Sequence, residues 1–451
     1  MSFVKTTIFR EYDIRGLSDI EFDTEFVEDL GKAIGTLLHE KGETRIAIGR
    51  DCRLTSEKYT KALVQGLRTT GAHVILLGIC PTPLVYFSIF HEEFDNGISV
   101  TGSHNPAEYN GFKISLQKKS LYGKEIKSLQ KRIEEKKFFV SKKEKDISFF
   151  NVIDAYSDYI KENISLSKKL RVVIDAGNGT AGPMAPSIFR NLGCEVKELF
   201  CDMDGRFPNH FPDPTVPENL SHLIAATKEF HADVGIAFDG DADRIGVVDR
   251  KGSILWGDEL MILYAREILK SSPGATFIAE VKCSRNLFSD IKKRGGRPIM
   301  WKTGHSLIKA KLLEEKALLA GEMSGHMFFA DRYYGYDDAI YAACRLLEIL
   351  SKNQQTLDEL LVDLPKTYST PEIRIDCPDE KKFEVVEKMR GHFLPNYDTI
   401  TIDGVRIEFP DGWALVRASN TQPVLVLRFE ASSQEKLNQI QALVENRLKN
   451  L

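Results

Sequence analysis

Three copies of one pattern restrict what this chain can fold into. In each copy, a short apolar run is followed by a polar turn, an amphipathic stretch ending at glycine and a second apolar run. The copies span residues 45–78, 171–200 and 276–302. Apolar residues at helical spacing between two strand-like runs are typical of α/β units. We therefore predict three related α/β domains with mixed sheets that are largely parallel.

The C-terminal part follows a different pattern. From about residue 372, strand-like runs are joined by Asp-Gly turns, which favour antiparallel hairpins, and helical stretches cover 379–393 and 433–450. These features predict a small α+β domain. The expected domains are 1–150, 151–251, 252–365 and 366–451.

Composition and charge exclude several classes of partner. The 451 residues carry a formal net charge of −4, which gives no basis for binding a polyanion such as nucleic acid. No apolar run approaches the ~18 residues of a membrane-spanning helix, and the first residues have no apolar signal-peptide core. The seven cysteines are scattered without a CxxC pair, so neither a zinc site nor a disulfide framework is indicated. We expect a cytoplasmic protein that binds neither nucleic acid nor membranes. The oligomeric state is left open, with a slight preference for a monomer.

The loop DGDADR at residues 239–244 predicts a metal site. It follows an apolar run, so Asp239, Asp241 and Asp243 can turn toward one point at the end of a strand. Their like charges would repel one another, and a divalent cation such as Mg²⁺ removes that conflict. An EF-hand is excluded because it needs glycine where Arg244 stands and a helix before the loop. A solvated acidic turn is the alternative, but Arg244 beside the acids indicates an anion that also faces the metal.

The loop GEMSGH at residues 321–326 is suited to holding a sugar. Glu322 can accept hydrogen bonds from two adjacent hydroxyls, and Ser324 and His326 can donate. An ordinary polar turn is equally compatible with this loop alone.

The loop RASNTQP at residues 417–423 is suited to holding a phosphate. Arg417, Ser419, Asn420 and Thr421 provide donors with no carboxylate among them. A hairpin turn rich in Asn and Ser is the alternative.

Further polar residues stand near the ends of predicted strands. Lys282 and His305 follow strands of the third α/β copy, and ligands gather at the carboxyl ends of strands in open α/β sheets. Near the N-terminus, Tyr12 and Arg15 lie in FREYDIRG, where Arg15 could reach an anion.

The hexapeptide TGSHNP at residues 101–106 raises three possibilities for Ser103: a nucleophile, a phosphate ligand or a turn residue. Together, the four loops offer a hydroxyl, a metal site, a sugar-binding site and a phosphate-binding site. That set predicts phosphoryl transfer on a phosphorylated sugar, with Ser103 as acceptor and donor.

In this order and over nearly the whole chain, TGSHNP, DGDADR, GEMSGH and RASNTQP resemble the α-D-phosphohexomutase family, and most closely its bacterial phosphomannomutase/phosphoglucomutase group. The resemblance implies four domains around a central cleft, with Ser103 phosphorylated at rest and Mg²⁺ bound by phosphoserine 103 and the three aspartates. It implies interconversion of hexose 1-phosphate and hexose 6-phosphate. A hexose 1,6-bisphosphate would be both the intermediate, which reorients in the cleft, and the activator.

The resemblance also implies roles for single residues. His104 and Lys113 would lie at the phosphoserine, and Arg244 would stabilise charge in the transition state. Arg15 and His326 are candidates for moving protons or orienting the reacting hydroxyl. The residues expected to bind substrate are Tyr12, Lys282, His305, Glu322, Ser324, Arg417, Ser419, Asn420 and Thr421.

Several alternatives remain open at this point. Phosphoglucosamine mutases usually carry glutamine where Met323 stands, so mannose and glucose phosphates are favoured over glucosamine phosphate. A metal-dependent sugar phosphatase would not need the second phosphate loop, and a non-catalytic sugar-phosphate binder would not need Ser103 and the aspartates. A serine hydrolase is least favoured because Ser103 lacks a G-x-S-x-G elbow.

Overall fold

In the part of the chain that the structure describes, four separate β-sheets follow one another. The computed structural model describes residues 6–420 and 422–451. Thr421, one of the expected phosphate ligands, lies outside the described residues.

The first domain contains a seven-stranded sheet in the order β1-β5-β4-β2-β3-β7, with β6 also paired to β5. Strands β2, β3, β4 and β7 are mutually parallel, and β5 is antiparallel to β1 and β4. Its elements are β1 (Ile14–Leu17), α1 (Thr24–Glu40), β2 (Arg45–Arg50), α2 (Ser56–Thr69), β3 (His73–Ile79), α3 (Thr82–Phe90), β4 (Gly97–Val100), β5 (Tyr109–Leu116), β6 (Lys119–Ser120), α4 (Lys124–Glu134) and β7 (Ile147–Phe149).

The second domain contains a five-stranded sheet in the order β12-β11-β10-β8-β9. Its elements are α5 (Val152–Asn163), β8 (Arg171–Asp175), α6 (Ala185–Asn191), β9 (Glu195–Leu199), α7 (Ser221–Glu229), β10 (Val234–Phe238), β11 (Ile245–Asp249) and β12 (Ile254–Leu255). Strand β12 pairs with β11 as the edge of this sheet, so the second sheet extends past the expected boundary at residue 251. The turn after β11 brings the chain back to complete this hairpin before the next domain begins.

The third domain contains a four-stranded sheet in the order β14-β13-β15-β16. Its elements are α8 (Gly257–Ser271), β13 (Thr276–Glu280), α9 (Arg285–Lys293), β14 (Arg297–Trp301), α10 (His305–Glu315), β15 (Leu319–Gly321), β16 (Met327–Phe329) and α11 (Ala339–Lys352).

The fourth domain contains a six-stranded antiparallel sheet in the order β17-β22-β21-β20-β19, with β18 also paired to β22. Its elements are β17 (Tyr368–Ser369), β18 (Ile373–Asp376), α12 (Asp379–Phe393), β19 (Asp398–Ile400), β20 (Val405–Phe409), β21 (Gly412–Ala418), β22 (Val424–Ala431) and α13 (Gln434–Lys449). The last helix begins where the Ser433 side chain accepts a hydrogen bond from the backbone N–H of Lys436, which satisfies one of the free donors of the first turn.

The first three sheets share one arrangement of four strands: β5-β4-β2-β3, β11-β10-β8-β9 and β16-β15-β13-β14. In each, three strands are parallel and the fourth is antiparallel. The three sequence copies form the parallel pairs β2/β3, β8/β9 and β13/β14, each with its helix between. The prediction of three related α/β domains with mixed sheets and a C-terminal α+β domain is therefore confirmed.

The largest hydrophobic core joins the first three domains. It includes apolar residues from Ala47 to Leu357 and surrounds α11, which is buried from Ala339 to Ser351. The fourth domain has its own core between its sheet and its two helices. It is attached to the third domain partly through Arg406, whose Nη1 donates to the carbonyls of Val281 and Cys283 at 2.7 and 2.8 Å. Among the described residues, no helix has the length and apolar character needed to cross a membrane.

Candidate active site

One structurally equivalent loop carries the predicted chemistry in each of the three repeated domains. The loop before the antiparallel strand spans 101–108 between β4 and β5, 239–244 between β10 and β11, and 322–326 between β15 and β16. These loops contain TGSHNP, DGDADR and most of GEMSGH. The repeated topology thus places the serine, the aspartates and the residues predicted to bind sugar at the same corner of three sheets.

Ser103 lies in the first loop with its side chain buried. Its backbone has a φ of 51°, in the left-handed region that side chains other than glycine rarely adopt. Its hydroxyl donates to Asp239 Oδ2 at 3.0 Å, across the boundary between the first two domains, and lies 3.2 Å from His104 Nδ1. Burial, and then the charge of Arg244, holds the pKa of His104 well below its usual value, so this imidazole is neutral beside the serine.

The three aspartates of the second loop are fully buried and face one another. Ligand oxygens of Asp239, Asp241 and Asp243 all lie within 4.8 Å of one another. Burial, and then the charges of Asp243 and Asp241, raises the pKa of Asp239 well above its ordinary value. Concentrated negative charge of this kind is stabilised by a cation.

Lys113 supplies part of the compensating positive charge. Its Nζ donates to Asp241 Oδ2 at 2.8 Å and also to Asp243. Burial alone would lower the pKa of Lys113, but Asp241 and Asp243 outweigh it and raise the pKa above its ordinary value. Lys113 is therefore a cation in this arrangement and does not have the lowered pKa that a lysine base would need.

His326 connects the third loop to the second, which carries the three aspartates. Its Nε2 accepts a hydrogen bond from Arg244 Nε at 2.9 Å, and its Nδ1 lies 3.1 Å from Asp337 Oδ2. Asp337 also accepts from Lys309 Nζ at 3.1 Å and lies 3.9 Å from His305 Nδ1. One fully buried carboxylate thus faces two of the predicted site histidines.

Glu322 and Ser324 lie together in the third loop. Glu322 Oε1 accepts from the backbone N–H of Gly304 at 2.6 Å, and its Oε2 accepts from Ser324 Oγ at 3.3 Å. Gly304 has a φ of 128°, and a Cβ there would lie 2.4 Å from the Tyr12 ring, so glycine allows this close approach. Lys282 lies nearby at the end of β13, where its Nζ donates to Glu372 at 3.0 Å.

The fourth domain contributes the loop after β21. Arg417 is buried, and its Nε donates to Asp403 Oδ2 at 3.1 Å. Asn420 Nδ2 donates to the Tyr12 hydroxyl at 2.6 Å, and that hydroxyl donates to the carbonyl of Thr303 at 2.8 Å. Tyr12 therefore links the first, third and fourth domains. Ser419 turns back along this loop, where its Oγ accepts from the backbone N–H of Gln422 at 3.1 Å.

Arg15 is held near the serine loop. It donates to Asn105 Oδ1 at 3.0 Å and to Asp13 Oδ2 at 2.6 Å. The structure thus brings the described sequence-predicted residues to facing loops of four domains, with direct contacts across the boundaries. Their catalytic and binding roles stay predictions.

Some residues of the site were missed from the sequence. Asp337 faces the predicted histidines and accepts a hydrogen bond from Lys309, and Thr82 donates to Asp241 Oδ2 at 2.6 Å. Asp51 and Arg53 contact the serine loop. Of these, only Asp51 and Arg53 could have been predicted from the sequence. They belong to the polar run RDCR, which directly follows an apolar strand of the first copy, and ligand-binding residues gather at such strand ends.

Almost the whole chain is similar in sequence to known proteins. Four protein-family sequence models match it, all described as domains of phosphoglucomutase/phosphomannomutase. The models of alpha/beta/alpha domains I, II and III match residues 6–139, 154–252 and 256–368, and the model of the C-terminal domain matches residues 372–447. A solved phosphoglucomutase/phosphomannomutase family protein from Burkholderia thailandensis superposes with a TM-score of 0.93 at 44% identity, covering 99% of this chain and 97% of the other.

Fold and site together define an α-D-phosphohexomutase. Phosphomannomutase/phosphoglucomutase of Pseudomonas aeruginosa is 46% identical over 98% of this chain and 96% of its own length. Phosphoglucomutase of Neisseria gonorrhoeae is 44% identical over 98% and 96%. With such relatives along its full length, the chain belongs to the phosphoglucomutase/phosphomannomutase family.

Proposed function

We propose that the protein interconverts the 1-phosphates and 6-phosphates of mannose and glucose through phosphoserine 103 and a hexose 1,6-bisphosphate, which also acts as the activator. The placement of the Ser103 hydroxyl carries the proposal, because it lies 3.0 Å from Asp239 where loops of three domains meet. The fourth domain brings a separate donor-rich loop, which a simple phosphatase would not need. The enzyme class of the curated relatives supports the same reaction.

The three aspartates fit a hard divalent cation such as Mg²⁺. One oxygen each of Asp241 and Asp243 accepts no hydrogen bond from the part of the chain that the structure describes, although both atoms are buried. Such oxygens are suited to a cation that prefers carboxylate ligands. Together with phosphoserine 103, Asp239, Asp241 and Asp243 would hold Mg²⁺. When bound, it would neutralise charge on the phosphoryl group in transfer.

The first transfer takes a phosphoryl group from Ser103 Oγ to the free O6 of a hexose 1-phosphate. The bond from phosphorus to O6 forms, the bond to Ser103 Oγ breaks, and the proton from O6 is passed on so that Oγ ends as a hydroxyl. Arg15 and His326 are the proposed groups for moving this proton or orienting the hydroxyl. Lys113 and Arg244 contribute positive charge around the same point. The second transfer returns the phosphoryl group from O1 to Ser103 and leaves hexose 6-phosphate.

The bisphosphate must turn between the two transfers without leaving the cleft. Arg417, Ser419 and Asn420 are proposed to bind whichever phosphate is not reacting, together with Thr421. Glu322 and Ser324 are proposed to hold two sugar hydroxyls that the turned sugar presents again. Lys282, His305 and Tyr12, which line the same region, complete the proposed substrate contacts.

³¹P NMR tests the proposed reaction directly. The protein with Mg²⁺ and a trace of glucose 1,6-bisphosphate is given mannose 1-phosphate, glucose 1-phosphate or glucosamine 1-phosphate in separate tubes. We expect the 1-phosphate signal to become a 6-phosphate signal, faster with mannose and glucose than with glucosamine. Inorganic phosphate as the product would favour a phosphatase, and faster conversion of the glucosamine compound would favour a phosphoglucosamine mutase. No change in any tube would favour a non-catalytic binder.

Arg417→Ala is expected to raise KM for hexose 1-phosphate about tenfold to a hundredfold, with a smaller change in kcat. A hydrogen bond from arginine to a charged phosphate contributes about 1.5–3 kcal/mol, and this side chain is buried at the proposed phosphate loop. Steady-state kinetics measure the effect. Arg390→Ala is the matched control, since Arg390 lies on α12 of the same domain and pairs only weakly with Glu387 at 3.5 Å. Unchanged KM and kcat in the Arg417 variant would contradict the assignment.

A further inference from the structure

Arg53 is a buried arginine, only 1% exposed, that none of the roles above uses. It follows β2 and contacts the loop that carries Ser103. Its Nη2 donates to the carbonyls of Ser103 and Asn105 at 2.7 and 2.6 Å. Its Nη1 donates to the carbonyls of Pro106 and Tyr109 at 2.5 and 3.0 Å. One side chain thus binds three backbone carbonyls of the loop and that of Tyr109, the first residue of β5.

Asp51 completes this arrangement. Its Oδ2 accepts from Arg53 Nε at 3.0 Å and from the backbone N–H of Gly102 at 3.1 Å. Its Oδ1 accepts from Ser56 Oγ at 2.5 Å and from the backbone N–H of Arg53. An arginine side chain has five N–H donors in a fixed plane, and all five are used here. A lysine, with three donors on one atom, cannot reproduce this pattern.

The guanidinium is also confined on its two sides. A Cβ at Gly102 would lie 2.5 Å from Arg53 Cζ, so glycine is needed for the loop to approach it. In the second domain, the ring centroid of Phe207 lies 5.0 Å from the same Cζ. Arg53 therefore has little room to move, and its contacts span the boundary of the first two domains.

We propose that Arg53, fixed by Asp51, is a positioning residue that sets the direction of the Ser103 hydroxyl. Ser103 is held at a φ of 51°, and this backbone conformation determines where its Cβ points and therefore which positions its Oγ can reach. Arg53 binds the carbonyl of this same residue, and the hydroxyl it directs lies 3.0 Å from Asp239. The effect on turnover rests on the proposed function, because it assumes that Ser103 carries the phosphoryl group.

Arg53→Lys is the test, since it keeps the positive charge and loses the planar set of donors. We expect kcat to fall about a hundredfold, as a displacement of about 1 Å at a reacting group can cause, with KM within about twofold. Excess glucose 1,6-bisphosphate should not restore kcat. Hydrogen exchange measured by mass spectrometry should speed up in residues 101–109 and stay unchanged elsewhere. Gly102→Ala, which leaves Arg53 in place but pushes on its guanidinium, should reproduce both effects.

Arg45→Lys is the matched control, because Arg45 lies at the exposed start of the same strand and donates to the carbonyl of Glu93 at 3.1 Å. Wild-type kcat in folded Arg53→Lys and Gly102→Ala proteins would overturn the proposal. A rise in KM without a fall in kcat would also overturn it. Failure of both variants to fold would overturn it as well, because it would give Arg53 a purely structural role. If the wild-type protein itself shows no mutase activity, the proposed function fails. The rate of hydrogen exchange in residues 101–109 of the variants still decides whether Arg53 positions Ser103.

Discussion

Replacing Ser103 with alanine is expected to lower kcat at least about a thousandfold while the fold stays intact. In the proposed reaction, the Ser103 hydroxyl carries the phosphoryl group between the two transfers, and an alanine side chain has no atom that can do so. The fold should survive because alanine keeps the Cβ, and the backbone carbonyl still accepts from Arg53. Conversion of glucose 1-phosphate is measured with and without added glucose 1,6-bisphosphate, and circular dichroism checks the fold.

Ser88→Ala is the control for this prediction. Ser88 is a fully buried serine of the same domain, and its hydroxyl donates only to the carbonyl of Val85 on its own helix. We expect this variant to keep nearly full activity. Full turnover in the Ser103→Ala protein, with or without the bisphosphate, would remove Ser103 from the mechanism. Loss of activity restored by the bisphosphate would show instead that Ser103 is needed only for priming.

Asp239→Asn is expected to reduce stabilisation by Mg²⁺ strongly and to lower kcat at least about a hundredfold. An asparagine can still accept the backbone hydrogen bonds that Asp239 Oδ1 receives from Asp243 and Arg244, so the loop should keep its shape. The change also removes one of three crowded negative charges, so the metal-free variant should unfold at the same or a higher temperature than the wild type.

Thermal unfolding with increasing Mg²⁺ measures this effect without relying on activity. At 100 times its Kd, Mg²⁺ should stabilise the wild type by about 2.7 kcal/mol, and the variant far less. Asp249→Asn is the matched control, a buried aspartate at the opposite end of the same hairpin, whose Oδ1 accepts from the backbone of Lys251 and Ser253. Equal Mg²⁺ stabilisation of the wild type and the Asp239 variant would place the metal elsewhere.

Local sequence patterns predicted the units of the fold well. The helix predicted at 379–393 is α12, and the three copies form parallel strand pairs with a helix between them. Such features depend on side-chain periodicity and on turn residues within a few positions, which the sequence displays directly. The loops that carry Ser103, Asp239 and Glu322 could be recognised because polar and glycine-rich runs interrupt apolar strands.

The sequence by itself therefore determined the kinds and order of the domains and the chemistry available in each loop. Only the tertiary structure decided how these loops meet. Ser103 and Asp239 are separated by 136 positions, and Asn420 reaches Tyr12 across 408. Five donors of Arg53 find acceptors spread from Asp51 to Tyr109, and Asp337 faces two histidines from different elements. Contacts of this kind arise when sheets pack together and bury polar groups, because a buried polar group needs a hydrogen-bond partner. This requirement acts on the folded chain and leaves no pattern in the local sequence.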